Sequence, residues 1–177
     1  MTSFIYHDNL QTDRLVTRKL TENDISIWTA FFEDKDAIEF MPPTHLTTPE
    51  KKAELWIKRQ LARYAENRYG LQVLIEKKTN NFVGQAGILI QEVDGIKEIE
   101  VGYHIFKKYW GQGFAPEAAK MFINYAFENN LTNSVISIID TRNTKSQRVA
   151  KKNGLVIDKK TRWSNLDVYI YRINKLG

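Results

Sequence analysis

The chain contains no cysteine, and this absence excludes several kinds of chemistry at once. A protein without cysteine has no disulfide framework, no thiolate nucleophile and no zinc–cysteine site. Histidine is also scarce, because His7, His45 and His104 are the only three and their spacing matches no metal-ligand pattern. We therefore expect a function that does not use a metal ion.

Long apolar runs are missing as well. No stretch of the sequence approaches the roughly 18 apolar residues that a membrane-spanning helix needs. The first residues, MTSFIYHDNLQTDR, lack the basic and apolar regions of a secretory signal. A soluble cytoplasmic protein without a membrane partner is the expectation.

The composition is that of a folded protein with a basic surface. A length of 177 residues, with a hydrophobic fraction of 42%, predicts one domain over 1–177. The net charge is +5, but Lys and Arg are spread along the chain, which indicates solvated faces that attract anions. A polyphosphate ligand or an RNA-rich partner such as a ribosome would also suit this charge. No RNA-recognition signature is present, so we do not expect nucleic-acid binding except through a ribosome.

The most informative segment is YHIFKKYWGQGFAPEAAKMFINYAF, at 103–127. A strand-like stretch breaks into a turn with Gly111 and Gly113 and then restarts as an amphipathic helix. A turn of this kind directs unpaired backbone N–H groups toward an anion, usually a phosphate, and the helix start adds the positive end of its dipole.

The remaining pattern predicts a mixed sheet with helices on both faces. A capping box at 21–24 and a Thr-Pro pair at 48–49 predict two helix starts, the second helix running to about residue 67. Asp94-Gly95 predicts a hairpin, and Gly154 predicts the end of a short helix over 144–153. The predicted strands are 11–19, 71–76, 82–91, 97–106, 134–139, 155–161 and 166–173.

Four segments, in this order, resemble the GNAT acetyltransferases, and within them the RimJ/RimL-like ribosomal-protein N-acetyltransferases. They are TDRLVTRKL at 12–20, IEVGY at 99–103, YWGQGFAPEA at 109–118 and NTKSQRVAKKNGL at 143–155. The resemblance covers nearly the whole chain. It implies an α/β (α+β) fold in one domain, with a mixed, mainly antiparallel sheet of about seven strands.

The resemblance also implies acetyl-CoA as the acyl donor and suggests how it is held. The backbone amides of Gly111, Gln112, Gly113, Phe114 and Ala115 would cradle its diphosphate. Lys108 occupies a place where the family usually has Gln or Arg, and it can serve a phosphate as a point charge.

Further donor contacts are implied along one strand and at one helix start. Tyr103, His104, Ile105 and Phe106 would pair through their backbone with the pantetheine arm, where the strand separates from its neighbour. Asn143 would hydrogen-bond the same arm, and the role of a helix cap, which is common for Asn, is compatible with that contact.

Acyl transfer to an amine requires a base for the ammonium and an acid for the thiolate. Glu100 is our candidate base, acting through water, because a carboxyl group enclosed beside a cofactor has a raised pKa. His104 lies on the same strand face and is the alternative. The family's proton-donating tyrosine is replaced by Ala150 here, so either Ser146, one turn earlier, or solvent would protonate the thiolate.

The acceptor amine is left open. The RimJ/RimL-like branch implies a protein N-terminal α-amine, whereas the same scaffold hosts small amines such as amino acids, polyamines or antibiotics. Its binding residues would come from 40–47, the second helix and 161–167. A non-catalytic acyl-CoA-binding module and an RNA- or ribosome-binding protein are the hypotheses from other classes, and the resemblance makes a homodimer possible.

Overall fold

The computed structural model of the protein describes residues 5–177, so the first four residues of the predicted domain lie outside the described part. Its strands are β1 Leu15–Lys19, β2 Leu71–Glu76, β3 Phe82–Val93, β4 Ile96–Ile105, β5 Ser134–Asp140, β6 Val156–Trp163 and β7 Leu166–Asn174. Its α-helices are α1 Ile25–Glu33, α2 Pro49–Ala65, α3 Phe114–Glu128 and α4 Thr144–Lys152.

All seven strands form one sheet, in the order β1-β2-β3-β4-β5-β7-β6. The pair β4–β5 is parallel, and every other neighbouring pair is antiparallel. The predicted mixed, mainly antiparallel seven-stranded sheet is therefore confirmed.

Helices cover both faces of the sheet, as predicted. The alternation of side chains along a strand sends neighbouring residues to opposite faces. Val73 accordingly packs with Trp28 and Ile57 of α1 and α2, whereas Leu74 packs with the cluster that contains Phe122 of α3. These two apolar clusters hold the two helical layers against the sheet.

Local sequence signals fix some of the element boundaries. The Thr48 hydroxyl accepts a hydrogen bond from the Lys51 N–H (3.3 Å) and caps α2, with Pro49 in its first turn. Asp94 and Gly95 both have positive φ, at 50° and 78°, which is the geometry of a tight two-residue hairpin.

The first strand is shorter than predicted, since β1 begins at Leu15 rather than at residue 11. The Thr12 side chain is the physical reason, because its hydroxyl accepts from the Leu15 N–H (2.9 Å). The Thr12 N–H in turn donates to the Leu15 carbonyl (2.9 Å), so the chain turns there instead of continuing as a strand.

None of the helices described between residues 5 and 177 is long and apolar enough to cross a membrane.

The sheet opens along one seam. β4 and β5 pair only at Ile99 with Val135 and at Glu100 with Ile136, and they separate beyond these pairs. The gap that results leaves one edge of β4 free within the sheet, and it is the place where the candidate site lies.

Candidate active site

A cleft of about 740 Å³ follows the gap between β4 and β5. Residues of the glycine turn and of the start of α3 line it, as do residues of the connection between α1 and α2. The predicted site residues that line it are Glu100, Tyr103, His104, Ile105, Gly111, Gly113, Phe114, Ala115, Asn143 and Ser146. The structure thus brings together residues from β4, the glycine turn and α4.

The glycine turn has the geometry of an anion cradle. Gly111 and Gly113 have φ of 74° and 82°, in the left-handed region that favours glycine. In the described part of the chain, no residue accepts a hydrogen bond from the backbone N–H groups of 111–115. A Cβ added at Gly111 would meet no atom within 4 Å, so it would point into open space at the cradle. Free amides, room and the start of α3 together suit a diphosphate.

Only alternate residues of β4 present backbone groups to the gap. The Phe106 N–H donates to the Val83 carbonyl (3.1 Å) on the β3 side, and backbone directions alternate along an antiparallel strand. The backbone groups of His104 therefore face β3, whereas those of Tyr103 and Ile105 face the gap. The Ile105 carbonyl already accepts from the Trp110 indole N–H (2.8 Å).

Glu100 lies where the two strands part, and the residue is buried, with 9% of its surface exposed. Its carboxylate accepts from the Gln91 amide (2.9 Å) and from the Ile138 N–H of β5 (3.4 Å). Burial raises its pKa to about 7, although these two hydrogen bonds oppose the rise. A carboxyl group with this pKa exchanges a proton readily near neutral pH, which suits a general base.

His104 lines the same cleft in an aromatic setting. Its ring meets Trp56 edge-on, with 4.8 Å between centroids, and Phe31 at 5.9 Å. Burial lowers its pKa to about 4, so the imidazole is neutral at physiological pH. A base with so low a pKa has little driving force to take a proton from an ammonium, and Glu100 is the better match.

The start of α4 forms the wall of the cleft that faces β4. The Asn143 side chain accepts from the Ser146 N–H (3.1 Å), so Asn143 is a helix cap, as one reading of the sequence predicted. The Tyr103 hydroxyl reaches across from β4 to the Ser146 carbonyl (3.3 Å). Burial raises the Tyr103 pKa, and the phenol stays protonated.

Three predicted donor contacts do not line the cleft. Phe106 packs into the α1–α2 cluster, and its N–H is used by β3. Lys108 is exposed, with its ammonium 5.1 Å from the centre of the Tyr109 ring. The Gln112 side chain folds back onto the Lys108 carbonyl (3.2 Å), on the outside of the turn.

An ion pair that the sequence analysis missed, Arg14 with Glu117, contacts the backbone of the glycine turn. Arg14, at the approach to β1, forms an ion pair with Glu117 of α3 (2.6 Å) and donates to the Gln112 carbonyl (2.8 Å). The two residues are 103 positions apart, and no local signal links them.

The loop between α1 and α2 lines the part of the cleft that we call the acceptor end, because we expect the acceptor amine to bind there. Asp36, Glu39, Phe40 and Met41 line it, so of the three segments expected to form the acceptor pocket only 40–47 contributes. Arg142 closes this end from the other side, since its guanidinium lies 5.5 Å from the centre of the Phe40 ring.

The comparisons with known proteins agree with this architecture. The model of the acetyltransferase (GNAT) domain family matches residues 14–156. An uncharacterized N-acetyltransferase of Bacillus licheniformis, p20, is 27% identical over 177 residues, which cover 95% of this chain and 97% of p20.

Solved structures share the fold across almost the full chain. An acetyltransferase from Agrobacterium tumefaciens superposes with a TM-score of 0.81 and 22% identity, covering 99% of each chain. RimL, a ribosomal L7/L12 α-N-protein acetyltransferase solved with coenzyme A, gives 0.75 at 13% identity over 93% of this chain and 96% of its own. The spermidine N-acetyltransferase of Vibrio cholerae, solved with CoA and spermine, gives 0.72 at 16% over 93% and 97%.

Proposed function

The chain belongs to the GNAT acetyltransferase family, and we propose that it moves the acetyl group of acetyl-CoA to the N-terminal α-amine of a protein, as ribosomal-protein acetyltransferases do. One observation carries the acyl-transfer part of the proposal: a buried carboxyl group, Glu100, lines the same cleft as a glycine turn whose backbone amides have room for an anion. The choice of a protein N-terminus rests on the resemblance to the ribosomal-protein acetyltransferases. We assign this function to the single domain 1–177 in the cytoplasm.

Several backbone and side-chain groups that line the cleft are suited to binding this acyl donor. The amides of 111–115 would hold its diphosphate, and the backbone groups of Tyr103 together with the Ile105 N–H would pair with the amides of its arm. The Asn143 side-chain amide remains available to that arm through its nitrogen, because only its oxygen is used as a cap. The donor supplies an acetyl thioester, whose carbonyl carbon the amine attacks.

Glu100 would take the proton that the acceptor ammonium loses, directly or through one water, before the C–N bond forms. The C–S bond then breaks, and the sulfur needs a proton. Ser146 of α4, which lines the cleft, or solvent would supply it. After the amine has attacked, its nitrogen still carries a second proton to lose, and this proton leaves to solvent as the C–S bond breaks. The ammonium thus gives up two protons and the sulfur takes one, so the products are the acetylated amine, the free thiol and one released proton.

A small polyamine is the second candidate acceptor, and the charge of the acceptor end favours it. Asp36, Glu39, Glu100 and Asp140 place carboxylates along the cleft, and such groups attract cationic amines. Lys107 and Arg142 pair with Asp36 and Asp140, which leaves Glu39 and Glu100 as the carboxylates without an ion pair in the described structure.

Release of free thiol from acetyl-CoA tests the proposal, with peptides that carry ribosomal-protein N-termini compared against spermidine. We expect turnover with the peptides and a loss on the order of a hundredfold or more for Glu100→Gln, which keeps the side chain's size but not its basicity. Faster turnover with spermidine would replace the peptide proposal with the polyamine one. Tight acetyl-CoA binding without turnover on any amine would indicate a non-catalytic binding module.

A further inference from the structure

Arg14 connects the edge of the sheet to the glycine turn. Its Nη1 donates to the Gln112 carbonyl (2.8 Å), and its Nε donates to Glu117 Oε2 (2.7 Å). The guanidinium carbon also lies 4.5 Å from the centre of the Phe114 ring. One planar side chain therefore contacts the turn, the first helical residue and the first turn of α3 together, which a single ammonium has no geometry to do.

The contact with the Gln112 carbonyl determines the direction of an amide. The peptide bond is planar and trans, so the carbonyl of Gln112 and the N–H of Gly113 point in opposite directions. Arg14 holds this carbonyl on the outer side of the turn. The Gly113 N–H is consequently turned to the inner side, and in agreement Gly113 lines the cleft whereas Gln112 does not.

Glu117 holds Arg14 in place. Its Oε1 accepts from the Thr12 hydroxyl (2.5 Å) and from the Arg14 N–H (3.1 Å), and its Oε2 accepts from the guanidinium. Burial by itself would raise the Glu117 pKa, but these hydrogen bonds outweigh it and the pKa is lowered. The carboxylate is thus charged at neutral pH and fully engaged on the side away from the cleft.

We propose that Arg14 is a positioning residue of the donor site: anchored by Glu117, it fixes the Gln112–Gly113 peptide so that the Gly113 N–H faces the donor's diphosphate. This inference rests on the proposed function, because it assigns a ligand to the cradle. It goes beyond that function in naming a pair, remote in sequence, that prepares the cradle before the donor arrives.

Titration calorimetry with CoA tests the proposal on the full chain and needs no acceptor. We expect Arg14→Ala and Arg14→Lys each to weaken CoA binding by about tenfold, because a charge-assisted hydrogen bond that orients the cradle is lost. Lys77→Ala is the matched control, since Lys77 donates to the Thr12 carbonyl (2.5 Å) at the same corner but does not touch the turn. It removes the same charge, and we expect a change of less than about twofold.

The Gly113 amide resonance supplies a readout that general damage would not produce. In the unliganded protein we expect it to move on Arg14→Lys, while the amide signals of the distant hairpin at 94–95 stay in place. Full affinity in Arg14→Lys would overturn the proposal, since charge alone would then suffice. An equal loss in Lys77→Ala would also overturn it. Wild-type protein that fails to bind CoA would instead overturn the donor assignment itself.

Discussion

Burial shifts the pKa values of Glu100 and His104 in opposite directions, raising that of Glu100 to about 7 and lowering that of His104 to about 4. Both shifts have one cause, which is that the charged form loses water. The carboxyl group and the imidazole are therefore both favoured in their neutral forms inside the cleft. The role that we propose for Glu100 as a base requires its carboxyl group to ionise there, and ionisation of a buried carboxyl group costs stability.

The pH dependence of unfolding should reveal this cost. A folded pKa above the unfolded value of 4.5 means that Glu100 destabilises the protein progressively as pH rises from about 4.5 to 7. We expect Glu100→Gln to gain stability relative to the wild type over this range, by at most a few kcal/mol. Urea unfolding at a series of pH values measures it, and a constant difference between the two proteins would contradict the raised pKa.

His104 should show the opposite dependence. Its folded pKa is lowered, so the unfolded chain binds a proton more readily and stability is lost as pH falls from about 6.5 to 4. His104→Gln should therefore gain stability relative to the wild type at the acid end, in the same unfolding series. A gain at the alkaline end instead would show that the imidazole is not buried in its neutral form.

At the scale of elements, a side chain added in the glycine turn would have two effects: it would strain the backbone, and it would occupy the space of a ligand. Substitutions at two glycines distinguish these effects. Gly111 and Gly95 both have positive φ, and a Cβ at either one meets no atom within 4 Å. We expect Gly111→Ala and Gly95→Ala to destabilise the protein similarly, by about 1 kcal/mol, since both force alanine into the left-handed region. Only Gly111→Ala should weaken CoA binding in calorimetry. Equal CoA affinities for the two variants would show that the turn is not the cradle.

Helix and strand boundaries that depend on neighbouring residues were predictable from the sequence. The Thr48 cap, the Asp94-Gly95 hairpin and the end of α4 before Gly154 each depend on residues within a few positions. The start of β1 was predicted too early, because the alternation over 15–18 does not show where the strand begins, whereas two hydrogen bonds between Thr12 and Leu15 turn the chain just before it. Side-chain hydrogen bonds of this kind compete with the pattern that the sequence displays.

At the scale of the whole molecule, the site depends on contacts that no local pattern records. Glu100 and Ser146 were named from the sequence through a resemblance to a family, and the structure places both in one cleft. The Arg14–Glu117 pair and the approach of Phe40 to Arg142 come from segments that meet only after the sheet has formed. Phe106, Lys108 and Gln112 were named through the family's spacing, and none of the three lines the cleft. The role of the Gln112 backbone amide in the cradle stays a prediction.

The seam between β4 and β5 should tighten when the donor binds. We expect CoA to slow hydrogen exchange at the amides of Tyr103 and Ile105, which face the gap and would acquire partners. The outer edge of β6 is the internal control, because it is also an open strand edge but lies at the far end of the sheet. Equal slowing at both edges would indicate general stabilisation rather than filling of the seam.

The length of the same seam restricts which acyl donors can reach Glu100. The seam is closed at Glu100 and open along the rest of β4 as far as Ile105, a stretch of roughly 16 Å at the usual rise of a strand. If the turn holds the diphosphate as we propose, a carrier arm that spans this stretch would deliver its thioester to the carboxyl group. The fold would then select its donor by the length of the arm and leave the choice of amine to the loop between α1 and α2.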